Sequence, residues 1–411
     1  MTHALALRDP FLNVTPQFLQ DPYPHLKQLQ ELAPIMWSEH GHYWLLTRYA
    51  DCDYVLRDLR FNKQISSLKG GSAIRRLVLN FILSIKANAN ATKSMLSSDP
   101  PDHTRLRSLV SIAFTPIMIE QMRARIQEVT DNLLYKEADK GSMDLVADLA
   151  FPLPVIVIAE MLGIAPEDRD RLKKWSNALI GVLEPGASFL SIFRAGKARD
   201  ELVSYLRPLI KERRTNPNDD LISALVKAED EQGKLSSDEL LATITLLLVA
   251  GHETTLNLIS SAALALMTHT DQMQLLKNNS NLLGNAVKEF LRWNSPIQLI
   301  RRSASEDCEL SGVHILKGQT LLICNGAANR DPAQYPNPDR LDIQRQNIKH
   351  LAFGAGIHHC LGWFLAETEC QIAIGTLLKR MPSMTLRIPE EKLEWKRPCS
   401  VRGLKKLPIS W

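Results

Sequence analysis

A cysteine held between glycines, directly ahead of a helical segment, sets the strongest limit on what this chain can fold into. The loop reads Phe353-Gly354-Ala355-Gly356-Ile357-His358-His359-Cys360-Leu361-Gly362. Leu361, Phe364, Leu365 and Ile372 then follow helical apolar spacing. The segment therefore presents one thiol at a helix N-terminus, whose positive end favours a negative sulfur by about 0.3–1 kcal/mol, and by ~2 when partly buried. Glycines let the backbone pass close to a flat ligand and take positive φ, which residues with a Cβ resist. Zinc would need four ligands, and no second cysteine lies two to four positions away. A single axial sulfur suits haem iron instead. Taken alone, such a cysteine reads as a buried packing residue, so the rest of the chain has to decide.

The 411 residues are 45% hydrophobic and 23% charged, as in a globular protein with a large core. Length alone allows more than one domain, but no Gly/Ser-rich or charge-block linker divides the chain and no repeat recurs. One domain over 1–411 is expected, with a β-rich N-terminal part over about 1–60 and a helical core with late strands over about 99–411. A net charge of +4 is too mild to imply a nucleic-acid partner. The six cysteines are scattered without paired spacing, which points to a reducing cytoplasm rather than a disulfide scaffold. Residues 1–10 carry no apolar leader or anchor segment. Leu240 to Met267 is long enough to cross a bilayer. It carries His252, Glu253 and Asn257 in its middle, however, and an acid at a bilayer centre costs ~2.5–3.5 kcal/mol. A helix apolar on all sides is equally expected at the centre of a large fold, and a core helix is the reading taken here.

Along the chain, Ile35–Ser38 and Tyr43–Thr47 flank a turn and read as a hairpin. Residues 62–98 are ambiguous. Their Arg/Leu-rich part, Ala73–Lys86, reads as a peripheral helix, or as a lid or basic patch touching membrane or an acidic partner. Asp99-Pro100-Pro101 predicts a helix start with an acidic cap and prolines in the first turn. Helical spacing follows near 116–138, 152–163, 166–182 and 190–214, with a break at Pro185-Gly186. Ser236-Ser237-Asp238-Glu239 contains a capping box for the long apolar helix. Another helix is predicted near Leu282–Trp293, then short strands at Glu309–Leu310, Val313–Ile315 and Thr320–Cys324. The proline-bearing stretch 331–348 reads as coil.

The glycine–cysteine decapeptide resembles the haem-binding signature of the cytochrome P-450 family, whose positions are filled by Phe353, Gly354, Gly356, His358, Cys360 and Gly362. The resemblance implies haem b held by the Cys360 thiolate, and a mainly α (α+β) fold, the cytochrome P-450 fold, whose helical core sandwiches the haem beside small β-sheets. The long helix carries Ala250-Gly251-His252-Glu253-Thr254-Thr255. Gly251 removes side-chain bulk where a diatomic ligand would sit. Thr254 can hold an oxygen or water and bond back to a helix carbonyl. Glu253 offers a carboxylate to relay protons, which O–O cleavage requires. Without further context Thr254 would read as a core threonine and Glu253 as a paired buried acid. The hexapeptide is nevertheless similar to the family's oxygen-activation motif, and it lies some hundred residues before Cys360, as in the family.

Glu289 and Arg292 share a helix face. The resemblance makes them a buried structural pair, joined by an arginine of the proline-rich coil, matched here to Arg340. It makes His103, Arg107, Arg302 (placed before the first late strand) and His358 the partners of the two haem propionates. Substrate contacts are expected from the 62–98 segment, Leu179, Leu183, Leu247, Ala250, the Pro296–Ile300 stretch with Ile297, Gln298 and Leu299, and Ser400 and Val401. These positions are mainly aliphatic and argue for an apolar small molecule such as a terpenoid, fatty acid, steroid or macrolide-like skeleton. Gln298 is the polar group of its stretch that would orient a ligand.

The implied activity is a monooxygenase that hydroxylates or epoxidises with O2. No flavin or iron–sulfur segment is recognisable in 1–411, so electrons are expected from a ferredoxin with its reductase, or a flavodoxin, reaching a monomer. A haem-thiolate peroxygenase or rearrangement enzyme is the alternative, and a non-catalytic haem sensor a third. The acid–threonine pair favours the first.

Overall fold

The computed structural model describes residues 9–12, 14–63, 94–180, 188–232, 235–397 and 399–411. The chain opens with α1 (Pro16–Gln20), α2 (Tyr23–Leu32), the hairpin β1 (Ile35–Ser38) and β2 (Tyr43–Leu46), α3 (Tyr49–Arg57) and β3 (Phe61–Asn62). A helical stretch follows: α4 (Asp102–Ser111), α5 (Pro116–Tyr135), β4 (Ser142–Asp144), α6 (Pro152–Met161), α7 (Arg169–Ile180), α8 (Phe189–Thr215) and α9 (Leu221–Gln232). Next come α10 (Ser237–Thr268), α11 (Thr270–Asn278) and α12 (Leu283–Trp293). The last part holds β5 (Leu299–Ala304), β6 (Cys308–Leu310), β7 (Val313–Ile315), β8 (Thr320–Cys324), α13 (Asn325–Ala328), α14 (Trp363–Arg380), β9 (Thr385–Leu386) and β10 (Pro408–Ser410). The mainly helical architecture with small sheets is the one expected.

Helix α10 starts where its capping box predicts. The Glu239 N–H donates to the Ser236 hydroxyl, and the Glu239 carboxylate accepts from the Ser236 N–H. Its residues are buried almost all round, against α6, α12 and α14 among others. It is the helix long and apolar enough to cross a membrane among the described residues, and 61% of its most apolar window lies inside the fold. Burial on all faces explains its composition without a bilayer.

The larger sheet runs β1-β2-β8-β5-β3. Strands β2 and β8 are parallel, with Leu45 opposite Leu322, and β5 is antiparallel to β8, with Arg302 opposite Leu321. A second sheet has the order β4-β10-β9, and β6 pairs with β7. Two expectations change here. The part near 1–60 is helix-dominated rather than β-rich, because α1, α2 and α3 outlast its strands, and its hairpin is completed only by β8 and β5. Arg302 lies inside β5 rather than before the first late strand.

The start of α4 also differs from the reading. Both prolines precede the helix, which opens at Asp102 with no side-chain cap. The Asp99 carboxylate instead accepts the Lys63 N–H, at 2.9 and 3.1 Å. Ala73–Lys86, the Pro185-Gly186 break and Leu183 lie outside the described residues.

Two apolar clusters meet at the cysteine loop. The larger gathers helices α4 to α12 and α14, with Phe353 packed on it. The smaller lies under the five-stranded sheet and includes Leu351 and Ala355 of the loop with Leu46, Val55, Leu56 and Ile323. The loop is thereby clamped between helical core and sheet, which fixes its backbone.

Candidate functional site

The cysteine loop takes its shape from two glycines at positive φ, Gly354 and Gly356, each at +68°. A Cβ on Gly356 would collide with the main chain of Leu56 and Arg57 at the end of α3, so glycine is required there for packing as well as conformation. Gly362 is the residue before α14, at ordinary negative φ and in open surroundings. The Cys360 N–H donates to the Phe353 carbonyl at 2.9 Å, which folds the loop back on itself. Phe353 sits edge-on between His350 and His359. Burial pushes the Cys360 thiol up to about 11, against the pull of the Gly362 N–H and the Arg107 guanidinium. A thiol so placed is protonated near neutrality, and a cation binding to it displaces the proton.

Around this loop the fold gathers basic side chains. The rings of His103 (α4) and His358 stand 4.3 Å apart, edge to face. Arg302 is buried, and burial lowers its guanidinium to about 10. Burial also lowers Arg107 and His103, the latter with help from the Arg107 charge. His358 falls to about 3 through burial and the neighbouring charges of Lys63, Arg302, His103 and Arg107. Lys63, absent from the sequence reading, is drawn down to about 7 by burial and by Arg302. Asp99 is the acid recorded against the group, with its carboxylate 3.8 Å from His358 Nε2. Neither ring nitrogen of His103, nor His358 Nε2, has a hydrogen-bond partner among the described residues. Buried nitrogens without partners, packed among cations that depress one another, require anions. Two carboxylates beside a cysteine sulfur satisfy them, so these residues fit a haem.

On α10 the burial pattern breaks at one face. Ala250 is exposed and Gly251 and Thr254 are half-buried, in the middle of a helix otherwise enclosed. The Thr254 hydroxyl donates to the Ala250 carbonyl at 3.3 Å, competing with the helix ladder. Gly251 serves a purpose the sequence reading did not foresee. A Cβ here would come within 3.1 Å of Ile158 of α6, so the glycine also gives that helix a close approach.

Glu253 lies roughly 100° round the helix from Thr254, on a buried face. Its Oε1 is 2.5 Å from the Lys396 ammonium, while Oε2 is buried with no partner. The carboxylate is thus a paired buried acid with one free oxygen. Nothing local pointed to Lys396, which reaches α10 from the C-terminal loop.

Glu289 and Arg292 form a fully buried bidentate pair, Arg292 Nε donating to Oε2 at 2.7 Å and a terminal N–H to Oε1 at 2.8 Å. The expected third member is corrected. Arg340 contributes only its main-chain carbonyl, and its side chain is exposed. The guanidinium that reaches Glu289 is that of Arg345, at 3.2 Å, which also donates to the carbonyls of Pro336, Asn337 and Arg340.

Among the proposed substrate residues, Ile297 and Val401 are brought together in a bridge, and the Gln298 N–H donates to the Ser400 carbonyl at 2.8 Å. Ser400 and Val401 are buried. Leu299 is half-buried, Leu179 packs on the main core cluster from α7, and Leu247 is buried within it. The Gln298 amide donates to the Ser295 carbonyl at 2.7 Å, and its oxygen is buried without a partner among the described residues, in the space a Cβ on Gly326 would fill and beside a cleft lined by Phe11, Phe18 and Trp395.

A sequence model of the family "Cytochrome P450" matches residues 55–396. The chain is 41% identical over 390 residues to a "Cytochrome P450" of Bacillus subtilis (strain 168), covering 95% of this chain and 93% of that one. It is 38% identical to the 6-deoxyerythronolide B hydroxylase of Saccharopolyspora erythraea, covering 94% of each. Among solved structures it is similar to P450BioI bound to an acyl carrier protein carrying hexadec-9Z-enoic acid. That match has a TM-score of 0.88 and 37% identity, over 97% of this chain and 100% of that one.

Proposed function

This chain belongs to the cytochrome P450 family and is a monooxygenase of it; from that premise we propose that it hydroxylates or epoxidises an apolar small molecule, using O2 and electrons delivered by a separate carrier. The observation that carries the reading is the cluster of buried basic groups around Cys360, with ring nitrogens of His103 and His358 that have no partner among the described residues, which the two carboxylates of a sulfur-ligated haem would satisfy. His103, Arg107, Arg302 and His358 would hold the propionates of haem b, and Cys360 would ligate its iron as thiolate. Lys63 adds a cation to the same edge. When bound, the haem supplies the activation of oxygen, favoured by electron donation from sulfur.

The remaining work falls to this chain's own side chains. Ala250, Gly251 and Thr254 form the accessible strip of α10, beside which oxygen and substrate are accommodated. The Thr254 hydroxyl, already turned to the Ala250 carbonyl, holds a water or oxygen atom in place. Glu253 feeds protons to that position through its free Oε2. Leu179, Leu247, Ile297, Leu299, Ser400 and Val401 provide a largely aliphatic enclosure that excludes water from an apolar substrate. The names of the relatives, a 6-deoxyerythronolide B hydroxylase and a complex with an acyl carrier protein bearing hexadec-9Z-enoic acid, agree with such a substrate. The electron donor in this reading is a ferredoxin with its reductase, or a flavodoxin, and the protein is cytoplasmic.

The test combines a spectrum with turnover. The reduced protein under carbon monoxide should show the red-shifted Soret band of sulfur ligation, and Cys360→Ala should lose it. With a ferredoxin, its reductase and NADPH, oxygen should be consumed and one atom found in product. A colourless protein after haem supplementation, or oxygen-independent turnover, overturns the reading.

A further inference from the structure

We propose that Lys396 is a positioning residue for proton delivery: its ammonium anchors one oxygen of the Glu253 carboxylate and so leaves the other, Oε2, facing an internal water site behind α10. The inference rests on the reading of Glu253 as the relay acid.

Lys396 belongs to a C-terminal clip laid along α10. Trp395 bridges Leu404, and the Lys396 N–H donates to the Gly403 carbonyl at 2.8 Å. The clip covers one face of the helix. Glu253 and Asn257, four residues apart, share that face. Gly403 lies so close to Asn257 that no Cβ could be accommodated. Asn257 is fully buried, and neither its oxygen nor its nitrogen has a partner. The same holds for Glu253 Oε2 and for Trp395 Nε1 at the root of the clip. Unsatisfied donors and acceptors concentrated in one place mark ordered water, because bare burial of each would cost free energy that natural folds rarely concede.

On the outer side of the clip a small, mostly apolar cleft lined by Phe11, Phe18, Pro22, Gln298, Trp395, Lys396 and Arg402 reaches the lysine from the side of the N-terminal segment. Lys396 therefore stands between this cleft and Glu253, remote from the exposed strip of α10. The charged groups recorded against Glu253 are Lys396 from the clip and His252 from its own helix, whose ring is held by the Leu248 carbonyl and kept neutral by burial. Protons that Glu253 passes on towards Thr254 are replaced from the internal water site behind α10. A carboxylate tethered at one oxygen keeps the other in a fixed place. An untethered one rotates and loses contact with the water site.

The experiment compares Lys396→Met, Lys396→Arg, Glu253→Gln and the Glu253→Gln/Lys396→Met double variant as holoproteins. Turnover is driven by ferredoxin, reductase and NADPH on a substrate found by spectral-shift screening. Lys396→Met should lower product per NADPH at least threefold and raise peroxide to match, with haem content and the spectral dissociation constant of the substrate unchanged. Lys396→Arg should restore more than half of the loss, and the double variant should be no worse than Glu253→Gln. Independently of turnover, denaturant midpoints of the four holoproteins should be non-additive, since both single variants break one ion pair. If Glu253→Gln uncouples turnover and Lys396→Met does not, the proposal is overturned and the relay reading stands. If Glu253→Gln turns over with full coupling, the relay reading fails first. If Lys396→Met and Lys396→Arg both lose the red-shifted ferrous carbonyl band, the lysine is structural and the proposal is overturned.

Discussion

Replacing Arg345 by leucine should destabilise this protein markedly, while the same change at Arg340, five residues earlier, should not. The Arg345 guanidinium makes one charge-assisted contact to Glu289 and donates to three main-chain carbonyls. Glu289 has no solvent exposure, so it cannot exchange that contact for water. Removing the sole partner of a buried charge typically costs ~3–5 kcal/mol. Glu289 would retain Arg292 in bidentate contact and accept the Asp342 N–H at 3.0 Å. The loss is therefore one hydrogen bond to a charged group, about 1.5–3 kcal/mol, with the coil carbonyls partly rehydrated. Arg292→Leu should reach the full ~3–5 kcal/mol, because it strips both oxygens of their main donor. Arg340 offers the network only its carbonyl, which survives any side-chain change, so Arg340→Leu should stay within about 0.5 kcal/mol. Denaturant titration of the three holoproteins, followed by far-ultraviolet circular dichroism, measures the order. Equal losses at 340 and 345, or a neutral Arg345→Leu, would refute the assignment of the third arginine.

Other outcomes follow from single contacts. Thr254→Ala should bind haem and substrate normally but divert NADPH to peroxide; undiminished coupling of NADPH to product would remove Thr254 from the mechanism. Gly251→Ala should cost about 1–3 kcal/mol by pressing on Ile158, and adding Ile158→Ala should return part of it. A Gly251→Ala protein of unchanged stability would show that the Ile158 contact does not require glycine. Glu369, buried in α14 with Oε2 unpartnered, has its carboxyl raised well above the usual range by burial. It is protonated in the fold and ionises readily in the unfolded chain. Its contribution to stability is therefore complete below about pH 4.3 and declines as pH rises towards its folded-state value. Glu369→Gln should accordingly be more stable than the parent at neutral pH, with a flatter denaturant midpoint against pH. A parallel profile would show the carboxyl to be ionised in the fold.

What could be read in advance divides by the range of the interaction. The capping box at Ser236–Glu239, the 35–46 hairpin and the positive-φ glycines of the cysteine loop are decided by neighbours in the chain, and each stands where its residues place it. Other features involve partners remote in sequence. The close approach of Ile158 to Gly251 cannot be read from either helix alone. The inward arginine is Arg345 rather than Arg340, and an irregular coil has no period from which spacing could tell which arginine turns inward. Arg302 was put outside a strand because Leu299–Ala304 reads as a mixture of charge and apolar residues, and only pairing with β8 and β3 makes it a strand. Glu253 shows the same limit within the site. As a residue type in its hexapeptide it announces proton chemistry, yet which of its oxygens is free depends on a lysine 143 positions away. The chemistry of this protein is thus written locally, in a loop and one turn of helix. The direction from which protons arrive is set by the C-terminal clip, and a chain with the same two motifs but an apolar residue at 396 would share the reaction without sharing this tether.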